Sequence, residues 1–307
     1  MLETIQRDSV ISFPMLGNLT LNPPAYFTVF GRPIYFYGVL IGLGFILGIT
    51  FCAKRAKRFG LKEDDVYDVV IWLVPFSILG ARLYYVLFNL NYYLHHLGEF
   101  FAVWNGGLAI YGGVIAGVIV TWLVCRKKKI PLLAMFDCLC FGLLIGQIIG
   151  RWGNFMNREA FGVETEIFCR MGLTAPDGTT IYVHPTFLYE SLWNLGVLLF
   201  LLVYEGSGKR RFDGECMTLY FLLYGLGRVW IEGLRTDSLY IGSSGVRVSQ
   251  VLSLILAFAA ATVLYFNRRE KFTPDALYVN RVAAQEEAVV IGSADGGKKD
   301  TTNGSGQ

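Results

Sequence analysis

The sequence is short of charge. Asp, Glu, Lys and Arg make up 17% of its 307 residues, where a soluble globular domain carries about 25%. That deficit argues against an ordinary cytosolic enzyme, and a mean hydropathy of +0.46 points the same way. The net charge is only +3, which excludes the concentrated basic surface of a nucleic-acid-binding protein. Histidine is scarce as well: His95, His96 and His184 are the three in the chain. No His/Cys/Asp cluster with metal spacing occurs, so no structural metal site is expected. The six cysteines form no disulfide framework, because Cys52, Cys125, Cys138, Cys140 and Cys216 fall in or at the ends of apolar stretches and leave Cys169 alone in a polar connection.

What is abundant is long apolar runs. A transmembrane helix needs roughly 20 mainly apolar residues to cross ~30 Å of hydrocarbon, and the sequence supplies about seven such stretches. They lie near Tyr35–Ala53, Val66–Leu90, Gly106–Cys125, Leu132–Gly150, Thr186–Tyr204, Gly214–Gly233 and Val248–Asn267. Fifteen of the 27 basic residues collect in every second connection: Lys54 to Lys62, Arg126 to Lys129, Lys209 to Arg211, and Arg268 to Lys271. The alternate connections hold seven, namely Arg7, Arg32, Arg151, Arg158, Arg170, Arg235 and Arg247. The positive-inside rule then predicts an N-terminus outside and a cytoplasmic C-terminus, which requires an odd number of spans. The expected fold is therefore an all-α polytopic membrane protein with about seven transmembrane helices.

Domain organisation follows from the same pattern. Residues 1–34 read as an extracytoplasmic segment, without the basic start, apolar core and small-residue cleavage site of a signal peptide. Residues 35–267 read as the seven-helix membrane domain, interrupted by an extracytoplasmic loop at 151–185. Residues 268–307 are polar and end in Gly-Lys-Lys-Asp-Thr-Thr-Asn-Gly-Ser-Gly-Gln, a composition that predicts a largely disordered cytoplasmic tail.

Two basic residues, Arg82 and Arg228, fall inside spans. A charge at membrane depth costs at least ~2.5 kcal/mol on insertion scales, so each needs a partner or a task. Pairing is one reading, since Arg228 and Glu232 stand one helical turn apart; Glu190 and Asp137 are the other acids at hand. A second reading comes from depth. The predicted orientation puts Arg82, Arg151 and Arg228 toward the outer ends of their spans and Tyr37, Tyr111, His184 and Glu190 near the outer beginnings of theirs. Arginines gathered at headgroup depth suit a phosphate, because the guanidinium fork binds phosphate oxygens in pairs and stays charged in a low dielectric. A solute pathway would instead spread polar groups along the membrane normal, and the inner halves of the spans are almost purely apolar.

The densest polar motif follows a small-residue stripe, Gly142, Gly146 and Gly150, whose spacing suits close helix packing. It reads Gly150-Arg151-Trp152-Gly153-Asn154-Phe155-Met156-Asn157-Arg158-Glu159-Ala160-Phe161-Gly162. This stretch closely resembles the signature of the bacterial phosphatidylglycerol–prolipoprotein diacylglyceryl transferases. Further segments are similar to family motifs in order: Tyr35-Phe36-Tyr37-Gly38; Gly80-Ala81-Arg82 with Tyr85-Val86-Leu87-Phe88; Trp104 to Gly113; His184-Pro185-Thr186-Phe187-Leu188-Tyr189-Glu190; and Tyr224-Gly225-Leu226-Gly227-Arg228 with Glu232 and Arg235.

The resemblance implies an enzyme of the bacterial plasma membrane that moves the diacylglyceryl group of phosphatidylglycerol onto the lipobox cysteine thiol of a prolipoprotein, forming a thioether and releasing glycerol phosphate. It implies as partners phosphatidylglycerol, lipobox peptides and the membrane, and neither metal nor other cofactor. By motif match Arg151 and Arg228 hold the phosphate, with Asn154 and Glu159 orienting the headgroup or the arginines. Tyr37 lines the cavity, Gly162 permits close backbone approach, and Tyr224 and Glu232 either support the site or touch the lipid. One position departs from the family: Tyr111 stands where many members carry the histidine regarded as a candidate base. A tyrosine with an ordinary pKa near ~10 is a poor base at neutral pH, so Tyr111 is expected to bind substrate through its hydroxyl.

Overall fold

The computed structural model of the protein describes residues 9–240 and 245–299. Arg7 and the last residues of the tail, 300–307, lie outside that range. Nine helices are present among the described residues: α1 (Phe36–Arg55), α2 (Glu63–Phe88), α3 (Leu90–Tyr93), α4 (Ile110–Lys128), α5 (Leu132–Asn157), α6 (Thr186–Gly206), α7 (Glu215–Leu234), α8 (Val248–Arg269) and α9 (Tyr278–Lys299). The six strands are β1 (Val10–Phe13), β2 (Leu19–Leu21), β3 (Tyr26–Val29), β4 (Arg32–Tyr35), β5 (Met171–Thr174) and β6 (Thr180–Val183).

Each apolar stretch has become a helix. Six of them, all but α7, are long and apolar enough to cross a membrane. α7 has the length but carries Arg228 and Glu232 in its second half, which lowers its hydropathy. The helices turn large apolar side chains outward, with Ile46, Ile71 and Phe258 more than 60% exposed. Such a surface suits lipid rather than water.

The chain divides into two compact units, one formed by Met1–Phe51 and Leu139–Phe272, the other by Cys52–Cys138 and Thr273–Gln307. In the first unit α1 lies on the glycine stripe of α5. A Cβ placed on Gly44 would sit 3.3 Å from Gly146 Cα, and one on Gly48 would sit 2.7 Å from Gly142 O. The stripe therefore packs backbone against backbone, as its spacing predicts.

The same unit carries a four-stranded antiparallel sheet in the order β2-β1-β5-β6, which the all-helical reading of the sequence missed. These strands are three or four residues long, too short for alternation to announce them. Ile11, Leu173, Ile181 and Val183 of the sheet cluster with Phe155 near the end of α5 and Phe187 at the start of α6. This small core fixes the ends of the two helices that carry much of the polar motif.

In the second unit, Glu63, Asp64 and Asp65 open α2, where negative charge complements the helix dipole. Lys128, at the far end of α4, lies 2.7 Å from Asp65. Arg82 of α2 is buried and finds no carboxylate among the described residues. It donates to backbone carbonyls instead: Nε to Phe100 O at 3.0 Å, Nη1 to Gly106 O at 2.8 Å and Nη2 to Glu99 O at 2.6 Å. Its task is to hold the loop before α4. That loop also displaces the start of α4 from the expected Gly106 to Ile110, since Gly106 and Gly107 both have positive φ.

Two further expectations need correction. α5 does not stop at Gly150 but continues to Asn157, so the following loop begins at residue 158, not 151. Residues 278–299, predicted disordered on polarity, form α9. Their run Val-Ala-Ala-Gln-Glu-Glu-Ala-Val-Val is polar on average yet rich in strong helix formers. The helix also has a neighbour, for a Cβ on Gly60 would lie 2.9 Å from Val279 Cα.

Candidate active site

The motif after the glycine stripe folds into a tight reversal. Arg158 and Ala160 adopt left-handed φ of 52° and 56°, a conformation that costs non-glycine residues of order 1 kcal/mol each. Arg158 is held there by its own side chain, buried and donating to Ser9 O at 3.0 Å, Met156 O at 2.6 Å and Asn22 Oδ1 at 2.8 Å. It is thus a clamp between the motif and the N-terminal segment. The reversal swings Glu159 back over the helix, where its Oε1 accepts from Asn154 Nδ2 at 3.0 Å and Asn157 Nδ2 at 3.3 Å.

Beyond the reversal the chain threads between two helix ends. Gly162 donates its N–H to His184 O at 2.9 Å and Val163 donates to Leu234 O at 2.7 Å, while the Thr186 hydroxyl donates to Ala160 O. Space explains the glycine: a Cβ on Gly162 would meet His184 Cβ at 2.6 Å and Leu234 O at 3.0 Å. This segment ties the end of α5 to the start of α6 and the end of α7, the three places from which the charged side chains project.

Those side chains meet at Glu190, which is 4% exposed. Arg151 Nη2 of α5 lies 2.5 Å from its Oε2, and Arg228 Nη1 of α7 lies 2.5 Å from its Oε1. Arg228 Nη2 reaches the buried Glu232 at 2.6 Å. Arg235 Nη1 approaches Glu190 Oε1 at 3.4 Å, and its Nε and Nη2 take both oxygens of Asp237 at 2.9 and 2.8 Å. Burial works to raise the Asp237 carboxyl, but the hydrogen bonds and charge of Arg235 hold it below the usual carboxylate range. Arg247 closes the far side, donating to the backbone carbonyls of Glu232 and Arg235. Arg151 Nη1 also donates to Asn154 Oδ1 at 3.2 Å, so one continuous chain of contacts runs from Glu159 to Asp237.

Two properties decide what this arrangement can do. Low dielectric strengthens each contact, and the guanidiniums stay charged throughout. Moreover, a guanidinium has five N–H donors, of which Arg151 directs one at Asn154 and Arg228 one at Glu190 as hydrogen bonds, while their contacts with Glu190 Oε2 and Glu232 Oε2 are ion pairs without that alignment. The remaining donors can receive a second oxyanion.

Arg151, Asn154, Glu159, Arg228 and Glu232 are therefore brought together as the motifs suggest. Tyr37 joins them, its ring lying against Gly153 so closely that a Cβ there would be 2.5 Å from Cδ2. Tyr224 lines a narrow cleft with Glu190 and Arg228. Tyr111 belongs to the second unit, in the first turn of α4, with its ring 6.5 Å from that of Tyr84. The residues that sequence reasoning left out of the site are Glu190, Arg235 and Arg247. Glu190 was visible as a carboxylate inside a span, a signal that marked it as needing a cation.

His184 stands at the rim, its Nδ1 3.3 Å from Tyr189 OH, and the same hydroxyl lies 3.4 Å from Cys169 Sγ. Burial lowers the His184 pKa below its ordinary value, so the ring is uncharged at neutral pH.

A multi-pass helical membrane protein with three guanidiniums converging on one buried carboxylate is the class that fold and site define. Residues 24–266 match the model of one family within it, and the chain belongs to that family, prolipoprotein diacylglyceryl transferase. A phosphatidylglycerol–prolipoprotein diacylglyceryl transferase of Finegoldia magna is 46% identical over 233 residues, 76% of this chain and 91% of the relative. The enzyme of that name from Clostridioides difficile is 44% identical over 75% of this chain and 89% of its own. The Pediococcus pentosaceus enzyme of that name is 40% identical over 87% of this chain and 99% of its own.

Proposed function

We propose that the protein transfers the diacylglyceryl group of phosphatidylglycerol to a cysteine thiol of prolipoproteins, and that Arg151 and Arg228 hold the lipid phosphate while it does so. The observation that carries the site assignment is that both guanidiniums are fixed on Glu190 with donors to spare. In the reaction the thiolate sulfur attacks the glycerol carbon bonded to the phosphate oxygen. The S–C bond forms, the C–O bond breaks, and its electron pair leaves on glycerol phosphate. Fixed positive charge where that negative charge develops lowers the barrier.

Asn154 and Glu159 orient Arg151 and the headgroup, Glu232 restrains Arg228, and Tyr37 walls the cavity from α1. Gly162 keeps the motif close to α6 and α7, while Tyr224 lines the cleft beside Arg228. Tyr111 serves the substrate through its hydroxyl. The thiol reacts as thiolate, which an electropositive site favours. On this reading α7 is the seventh span, the N-terminus lies outside, and the basic connections face the cytoplasm, as the charge bias favours. The site then stands at the outer headgroup level of a bacterial plasma membrane, open to lipid and to the lipobox of the incoming peptide.

The test is transfer of labelled diacylglyceryl from phosphatidylglycerol to a lipobox peptide by the purified protein, with Arg151→Ala and Arg228→Lys alongside. Lys cannot reproduce the two-pronged hold on Glu190 and Glu232, so both variants lose activity. Full activity in both overturns the site assignment.

A further inference from the structure

The strand order β2-β1-β5-β6 gives the sheet two edges, and the chain treats them differently. The outer side of β6 is covered by the segment after Gly162, where Thr165 donates its N–H to Tyr182 O at 2.8 Å and Glu164 bridges Val183. The outer side of β2 is left open. Among the described residues β2 pairs with β1 alone, and its Leu-Thr-Leu sequence carries neither charge nor proline, the usual guards of an exposed edge. The side chains show the same gap. Leu21 and Leu19 stand opposite Ile11 and Phe13, so all four share the face that packs on Phe155 and Phe187. Ile11 is fully buried there, whereas Leu19 and Leu21 are 46% and 38% exposed. The apolar face of the sheet therefore runs on past its last strand and ends uncovered where a fifth strand would lie.

The open edge is tied to the site. Asn22, the residue after β2, accepts from Arg158 Nη2 at 2.8 Å, and Arg158 Nε donates to Ser9 O just before β1 at 3.0 Å. Arg158 immediately precedes Glu159. The Leu21 end of the strand is thus held against the polar motif, and the Leu19 end lies about 10 Å further along, at about 3.4 Å per residue.

We infer that the outer edge of β2 binds the acceptor polypeptide, taking the residues that follow its cysteine as an added antiparallel strand. The inference rests on the reaction proposed above, in which the acceptor is a polypeptide thiol. Running antiparallel to β2, the guest keeps its cysteine beside the motif at Leu21 and leads away toward Leu19, in the same sense of pairing as the rest of the sheet. Main-chain hydrogen bonds supply the affinity of such an added strand without regard to side-chain identity. Apolar residues at every second position of the guest cover Leu19 and Leu21.

The experiment uses the full-length protein, phosphatidylglycerol and a lipobox peptide in which one backbone N-methyl group is moved stepwise through the residues after the cysteine. Only every second residue of an added antiparallel strand points its N–H at the neighbouring strand. In wild type kcat/KM therefore falls about 3- to 10-fold, the range of one net hydrogen bond, at alternate positions and keeps its unmodified value between them. Leu19→Arg and Leu21→Arg raise KM for the peptide and leave KM for phosphatidylglycerol unchanged. The methyl series is read on wild type, so it decides the matter even if a leucine variant does not fold. A methyl effect without alternation, or an unchanged KM for the peptide in both variants, overturns the proposal while transfer itself stands. A shift in KM for phosphatidylglycerol instead assigns the edge to lipid and overturns it too. Absence of transfer from wild type to the unmodified peptide overturns the parent reading and the proposal with it.

Discussion

Arg151 and Arg228 come from different helices and grip opposite oxygens of one carboxylate, each at 2.5 Å from Glu190. Left to themselves, two guanidiniums this close would repel; the buried carboxylate holds them as a pair. Glu190 therefore acts as the keystone of the site, although it is the group of the three that a phosphate ligand would not touch directly.

Glu190→Gln tests that role. The substitution keeps the shape and strands the cations, and removing one member of a buried ion pair costs about 3–5 kcal/mol. The expected outcome is a lower Tm in thermal unfolding of the detergent-solubilised protein and loss of transfer. Wild-type stability in this variant would show that the arginines do not depend on Glu190.

Gly162→Ala isolates the backbone. The new Cβ would press on His184 Cβ and on the Leu234 carbonyl, neither of which is the flexible end of a side chain. Overpacking of this kind costs about 1–3 kcal/mol. A small shift of a catalytic group can lower a rate about 100-fold. Transfer should fall by at least about tenfold while the helical circular dichroism signal is kept.

Arg158→Ala leaves the charged network untouched and cuts the N-terminal segment loose. Each charge-assisted hydrogen bond it loses is worth about 1.5–3 kcal/mol, and three are recorded, to Ser9, Met156 and Asn22. Limited proteolysis should cleave within residues 9–35 faster than in wild type, with products identified by mass spectrometry.

His184 supplies a pH dependence. Burial lowers its pKa in the folded protein below 6.5, so the unfolded chain binds the proton more readily. Stability is then undiminished above about pH 6.5 and falls as the pH drops below it. The Tm recorded between about pH 8 and pH 5 should decline more steeply for wild type than for His184→Gln, which does not titrate.

The site was legible in the sequence to the extent that charge inside an apolar span is legible. Arg228 and Glu232 declare themselves by standing one turn apart in a hydrophobic run, and Arg151 by its place in a dense polar motif. Glu190 carries the same signal, but periodicity cannot say that three cations from separate helices choose the same acid. Arg235 and Arg247 read as flanking basic residues, because their role depends on how the chain turns after α7. Arg82 shows the opposite error of inference: its charge at depth suggests a phosphate, whereas the loop before α4 supplies its carbonyls. The sheet escaped because its strands are short and pair residues as distant as Ile11 and Leu173.

The contact of α1 with α5 bears on how a lipid could enter. Along Gly44, Gly48, Gly142 and Gly146 the two helices meet with almost nothing between their backbones. A wall opens by swinging rotamers, and this seam has none to swing. It behaves as a hinge post that keeps Tyr37 in step with Arg151, so the seam between α1 and α5 is not the side on which a lipid is admitted.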